Sequence, residues 1–100
     1  KVPADNGKQK YAVLQSGQND LGEKYIRILN DGFLSMDMAQ NILVIKTVSG
    51  MAMAVAAAID AMKLKEIVGS IAGDDTIMMA VRTVEDTQIV MDKIREVLQE

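Results

Sequence analysis

The stretch 51–62, Met-Ala-Met-Ala-Val-Ala-Ala-Ala-Ile-Asp-Ala-Met, constrains the fold more than any other part of the chain. It is Ala-rich, and its high helix propensity predicts a helix over 51–64. Its side chains are apolar on every face except at Asp60. A helix at the surface of a small domain normally carries a polar stripe. Lacking one, this helix is expected to be covered twice, by the chain's own sheet and by another subunit. Met51, Met53, Ala54, Ala57 and Ala58 form the expected oligomer interface, where small side chains let a neighbouring backbone approach. The plainer alternative is a central helix with alanine tolerated at the surface. Met53, Ala57 and Asp60 share one side of the helix, at i, i+4 and i+7. A carboxylate in a water-poor interface costs several kcal/mol unless a cation or strong donors meet it. Asp60 therefore needs a basic side chain from a neighbour, a bound cation, or a position at the helix end that reaches water.

Around this helix the periodicity of apolar residues switches regularly. Asp20, with Glu23 three residues on, predicts a capped helix start. Leu21, Tyr25, Ile28 and Leu29 follow at helical spacing, and Gly32 is placed to end the helix. Over 33–38 the pattern alternates, with Leu34, Met36 and Met38 on one side and Ser35 and Asp37 on the other, as in a half-buried strand. After a turn at 39–41, residues 42–48 are more continuously apolar and predict a more central strand. Residues 67–72 and 76–82 predict a second pair of strands about the turn Gly73-Asp74-Asp75. Thr83 is the expected cap of a last helix, with Ile89, Val90, Ile94, Val97 and Leu98 as its apolar stripe. Lys63, Lys65 and Glu66 read as a solvated loop. The order helix, strand, strand, helix, strand, strand, helix predicts an α+β domain over 21–100: a four-stranded antiparallel sheet with helices packed on one face. Ahead of it, 1–15 reads as a hairpin remnant around the turn dipeptide Asn6-Gly7. Residues 16–20 read as a linker.

Composition narrows the function. The 100 residues include no cysteine and no histidine. Disulfides, thiolate metal sites, thiol nucleophiles and the commonest general base are thereby excluded, which argues against an enzyme. A net charge of −3 and only three aromatic residues make the segment a poor grip for nucleic acid by itself. No secretory signal and no apolar stretch of membrane-spanning length are present, which suggests a cytoplasmic protein with no membrane contact. A start at Lys1 rather than Met suggests a piece of a longer chain.

The adjacent carboxylates of Asp74 and Asp75 are the main candidate site. Aspartate in a turn is commonly just turn chemistry. Three functional readings stand beside that one. A hairpin carboxylate pair suits a hard cation such as Mg²⁺. It also suits a guanidinium, through two parallel charge-assisted bonds. As a pair with split pKa values it would suit acid–base catalysis, although no nucleophile or histidine stands nearby.

The run Gly69-Ser70-Ile71-Ala72-Gly73-Asp74-Asp75-Thr76-Ile77 resembles the G-T-I-A-G-D-D-T-I run of the bacterial arginine repressor family, in its C-terminal domain. Lys46-Thr47 before Gly50, Asp60 ten residues after that glycine, and Arg82-Thr83-Val84-Glu85-Asp86-Thr87 fit the same frame. The resemblance implies a domain that trimerises, pairs of trimers forming hexamers, and L-arginine bound between trimers as corepressor, with no other cofactor and no metal. Operator DNA would be bound by a separate N-terminal winged helix, of which 1–15 would be the wing. By this match Asp74 and Asp75 hold the guanidinium and Asp60 the α-amino end, while Ser70 and Ala72 line the ligand. Met53 stands where the family usually has Gln. Loss of one neutral hydrogen bond costs about 0.5–1.5 kcal/mol, which would weaken arginine binding roughly threefold to tenfold. The alternative implied by Met53 is a structural oligomerisation module with a weakened or lost arginine response.

Overall fold

The structure, a computed structural model, describes residues 17–98, with side chains from residue 22 onward. The expected wing hairpin at 1–15 lies outside the described residues. The elements are α1 (Gly17–Gly32), β1 (Phe33–Ala39), β2 (Ile42–Thr47), α2 (Ala52–Asp60), β3 (Ile67–Ala72), β4 (Thr76–Val81) and α3 (Val84–Leu98). The four strands form one antiparallel sheet in the order β1-β2-β4-β3. This is the α+β architecture expected, in the expected element order. The connection through α2 carries the chain past β4, so that β3 becomes an edge strand.

One face of the sheet carries the core. Leu43, Ile45, Ile77, Met79 and Val81 point into it and are fully or almost fully buried. From the helices, Leu29, Val55, Ile59, Val90 and Ile94 complete it. In α2 the buried positions are Ala52, Val55, Ala56, Ala58 and Ile59, the stripe a 3.6-residue period lays on one side. Ala58, expected at an intersubunit surface, is 0% exposed and belongs to the chain's own core. Met51 is half-buried against that core. The helix is also shorter than 51–64, because the chain leaves it at Asp60 and Lys63 takes a left-handed backbone (φ 58).

α1 already includes residues 17–20, the expected linker, so Asp20 lies within a helical piece rather than at a helix start. The interruption comes at Gly22, whose φ of 81 suits a residue without Cβ. Gly32 matters for packing rather than for a left-handed turn: a Cβ there would sit 2.7 Å from Val55 Cγ2, so glycine lets α1 and α2 close on each other. The β1–β2 register slips between Phe33 and Ser35. That bulge turns Leu34 out to 63% exposure, away from Met36 and Met38. On α3, Thr83 Oγ1 accepts from Asp86 N at 2.9 Å, as a helix cap should. Thr87 is buried instead of Ile89, and its hydroxyl is satisfied by Thr83 O at 2.8 Å.

The reading of 63–66 as a solvated loop fails at Glu66, which is only 8% exposed. Lys93 Nζ on α3 pairs with its Oε2 at 3.2 Å, and the Glu66 carbonyl accepts from Arg82 N at 3.0 Å. Hydrogen bonding at its own backbone, and then Lys93, hold the Glu66 carboxyl below its ordinary value, while burial works the other way.

Candidate functional site

The turn between β3 and β4 is fixed by its main chain. Gly73 N donates to Thr76 O at 2.9 Å and closes it. The Asp74 carbonyl accepts from Gly50 N at 3.1 Å and from Ala52 N at 3.2 Å, and the Asp75 carbonyl from Thr47 N at 2.8 Å. Ala52 opens α2, which has no side-chain cap among the described residues. The Asp74 carbonyl thus serves an N–H group that a helix start leaves without a partner. Gly50, with φ 83, lets the chain bend so that its own N–H joins in.

With the backbone so occupied, both carboxylates are left exposed. Ser49 Oγ donates to Asp74 Oδ2 at 3.1 Å. Thr76 Oγ1 donates to Asp75 Oδ1 at 3.0 Å and itself accepts from Lys46 Nζ at 2.9 Å. Each carboxylate therefore has one oxygen held by a hydroxyl and keeps acceptor capacity for an incoming donor. Among the described residues, no group of three or more acidic side chains is placed to hold a metal ion.

The other expected ligand residues lie along α2 and β3. Met53, Ala57 and Asp60 form the exposed side of α2, with Met53 72% exposed and Ala54 half-buried beside them. Ser70 and Ala72 pair with Met79 and Ile77, which places them on the helix-bearing side of the sheet. Ser70 is nevertheless exposed and Ala72 half-buried. Asp60 does not meet the aspartate turn within one chain. The turn touches the first residue of α2 and Asp60 is its last, which separates them by about 12 Å along the helix axis.

A second apolar surface was missed in the sequence. On the side of the sheet away from the helices, Ile71 is 79% exposed and Met78 53% exposed. They are register neighbours, and with Ile42 and Ala80 they line an open depression of about 490 Å³. The signal was available in β4, where Ile77-Met78-Met79-Ala80-Val81 is continuously apolar rather than alternating. A strand of that kind has an apolar residue for each of its two faces.

A family model described as arginine repressor, C-terminal domain, matches residues 29–96. The chain is 65% identical over 98 residues to an arginine repressor of Lachnoclostridium phytofermentans, covering 98% of this chain and 64% of that protein. It is 59% identical over 98 residues to one of Lachnospira eligens, covering 98% of this chain and 65% of that protein. Against one of Bacillus pumilus it is 42% identical over 98 residues, covering 98% of this chain and 66% of that protein. The chain thus spans somewhat less than two thirds of the length of these relatives.

Proposed function

Because the chain belongs to the arginine repressor C-terminal domain family, we propose that it is the effector-binding and assembly domain of an arginine-responsive transcriptional regulator. L-Arginine is its corepressor, and the work is binding rather than catalysis. Asp74 and Asp75 accept the guanidinium, whose planar fork of donors matches carboxylate oxygens. Asp60 takes the α-amino end, while Ser70, Ala72 and Met53 line the ligand. Operator DNA is contacted by a domain outside this segment, and the whole protein acts in the cytoplasm on genes of arginine metabolism.

The observation that carries this reading is the aspartate turn itself. Its main chain is bonded to the start of α2 while both carboxylates remain exposed, so negative charge is held in a fixed place for a cation. The distance between that turn and Asp60 supports a site shared between subunits. A ligand positive at both ends would neutralise acidic groups on facing chains and link trimers into a hexamer. The exposed side of α2 and the outer face of the sheet offer two apolar surfaces for such assembly. A ligand that binds only the assembled form stabilises it by mass action, by about 2.7 kcal/mol at a hundredfold excess over Kd. The hexamer then presents its DNA-binding domains together and gains affinity through multivalency.

Met53 favours a second reading, a structural module with weakened arginine response, since an exposed thioether offers the ligand no donor. Calorimetry with L-arginine, L-lysine and L-citrulline separates the two. Heat with arginine and none with neutral citrulline is expected, and M53Q should tighten arginine binding by roughly threefold to tenfold, the worth of one neutral hydrogen bond. Absence of heat with all three ligands, in wild type and M53Q alike, would leave the structural module standing.

A further inference from the structure

Asp74 and Asp75 are neighbours in sequence, yet their counter-charges differ in kind. Lys46 and Thr76 face each other in the β2–β4 register, on the side of the sheet away from the helices. Lys46 Nζ donates to Thr76 Oγ1 at 2.9 Å, and Thr76 Oγ1 donates to Asp75 Oδ1 at 3.0 Å. The direction of this relay is set by chemistry. An ammonium group can only donate and a carboxylate can only accept, so the single hydroxyl hydrogen of Thr76 goes to Asp75. Bonds aligned in this way polarise each other. Asp74 is supported differently. Its Oδ2 accepts from the neutral hydroxyl of Ser49 at 3.1 Å, and its carbonyl accepts from Gly50 and Ala52 at the start of α2. A helix N-terminus offers at most about half an elementary charge. Asp75 has a whole positive charge one hydroxyl away.

We propose that Lys46, acting through Thr76, is a positioning residue of the aspartate turn: it orients and partly neutralises Asp75, leaving Asp74 as the principal acceptor of a ligand's cation. This deepens, and rests on, the reading of the turn as a cation-binding site. Two consequences follow from the placement of Lys46. It disfavours a second cationic group beside Asp75, and it moderates affinity for the first. The first makes the site selective for a ligand that brings a single cationic head to the turn.

The test uses the whole chain and a ligand fragment, guanidinium ion, at tens of millimolar and constant ionic strength. The readout is the carboxyl carbon resonance of each aspartate. In wild type, Asp74 should shift more than Asp75, by about twofold if the difference is that of one exposed ionic interaction. K46M and T76V should bring the two responses together, while K46R and T76S should keep them apart. A merely structural role for Lys46 would change the melting temperature and leave the ratio of responses unmoved. Calorimetry should show K46M binding L-arginine roughly two- to fivefold more tightly. Equal responses in wild type, an unchanged ratio in K46M, or weaker arginine binding by K46M would each overturn the proposal. The parent reading fails separately. If guanidinium distinguishes the aspartates as described but wild type binds no arginine, the corepressor assignment falls and the role of Lys46 stands.

Discussion

Glu66 and the Asp74–Asp75 pair are acidic sites of one small domain held in opposite ways. Glu66 is buried, with one oxygen on Lys93 Nζ at 3.2 Å and the other without a hydrogen-bond partner among the described residues. The two aspartates are exposed and rest on hydroxyls, while their backbone carbonyls are tied into the fold. The charge of Glu66 is enclosed, and its partner joins the β3 edge to α3. The charges of the aspartates face outward, and the structure secures their position without using up their capacity to accept. Enclosed charge acts on folding, and outward charge on what the domain can bind.

The largest effect expected from this contrast lies in binding. D74N and D75N each remove the charge and keep an oxygen that can still accept the existing hydroxyl bond. Loss of one charge-assisted interaction is worth about 1.5–3 kcal/mol, so arginine affinity should fall roughly ten- to a hundredfold in D74N, and by less in D75N, whose carboxylate Lys46 already partly neutralises through Thr76. Melting temperature should stay level or rise slightly, because relief of like-charge repulsion offsets any weakened bond. Calorimetry and thermal denaturation on the same samples check both halves. A variant that loses several degrees of stability along with affinity would show that the aspartates hold the fold together and would erase the distinction from Glu66.

A reciprocal result is expected at the buried pair. K93M leaves the Glu66 carboxylate enclosed without its cation, the costly way to break a buried ion pair. E66Q instead removes the enclosed charge and leaves Lys93, which is about half exposed, free to turn to water. K93M should therefore lower the melting temperature more than E66Q does, and neither should change arginine affinity measured well below the transition. Equal losses in the two variants would indicate that Glu66 sits in a wetter place than its 8% exposure implies.

The features legible in the sequence were those with a period or a motif. The helix and strand order came from apolar spacing, and the cap at Thr83 from residue type and position. The aspartate turn was legible as a turn, but nothing local to it shows that its carbonyls would bond Thr47, Gly50 and Ala52. Those bonds depend on β2 and β4 becoming neighbours, a tertiary fact. Leu34 departs from the expected alternation because a bulge shifts it by one residue, and a bulge is a property of pairing. Ile89 is apolar and falls in the expected stripe of α3, yet it is exposed. The helical phase instead buries Thr87, whose hydroxyl is satisfied by the carbonyl of the cap residue Thr83. The burial of Glu66 is not legible locally, because its partner Lys93 lies 27 positions away. The role of Gly32 was hidden for the same reason, since the atom that excludes a Cβ there belongs to Val55.

The smallest predicted effect concerns acid stability, and its sign follows from Glu66 alone. The folded state holds this carboxyl below its ordinary value of 4.5, so across the window beneath 4.5 the unfolded chain binds the proton more readily than the folded one. Stability then rises with pH through that window. The contribution of Glu66 is fully present above 4.5 and is lost as pH falls through the lower, folded-state value. The two causes can be separated by substitution. Hydrogen bonding at the Glu66 backbone comes first and the Lys93 contact second. K93M should therefore narrow the acid-sensitive window without closing it, whereas E66Q should remove the Glu66 contribution entirely. Melting temperatures measured between about pH 3 and pH 6 should show the steepest acid limb for wild type, an intermediate one for K93M and the flattest for E66Q. If K93M flattened the limb as far as E66Q does, Lys93 would be the whole cause, and the backbone would have no part in holding the Glu66 charge.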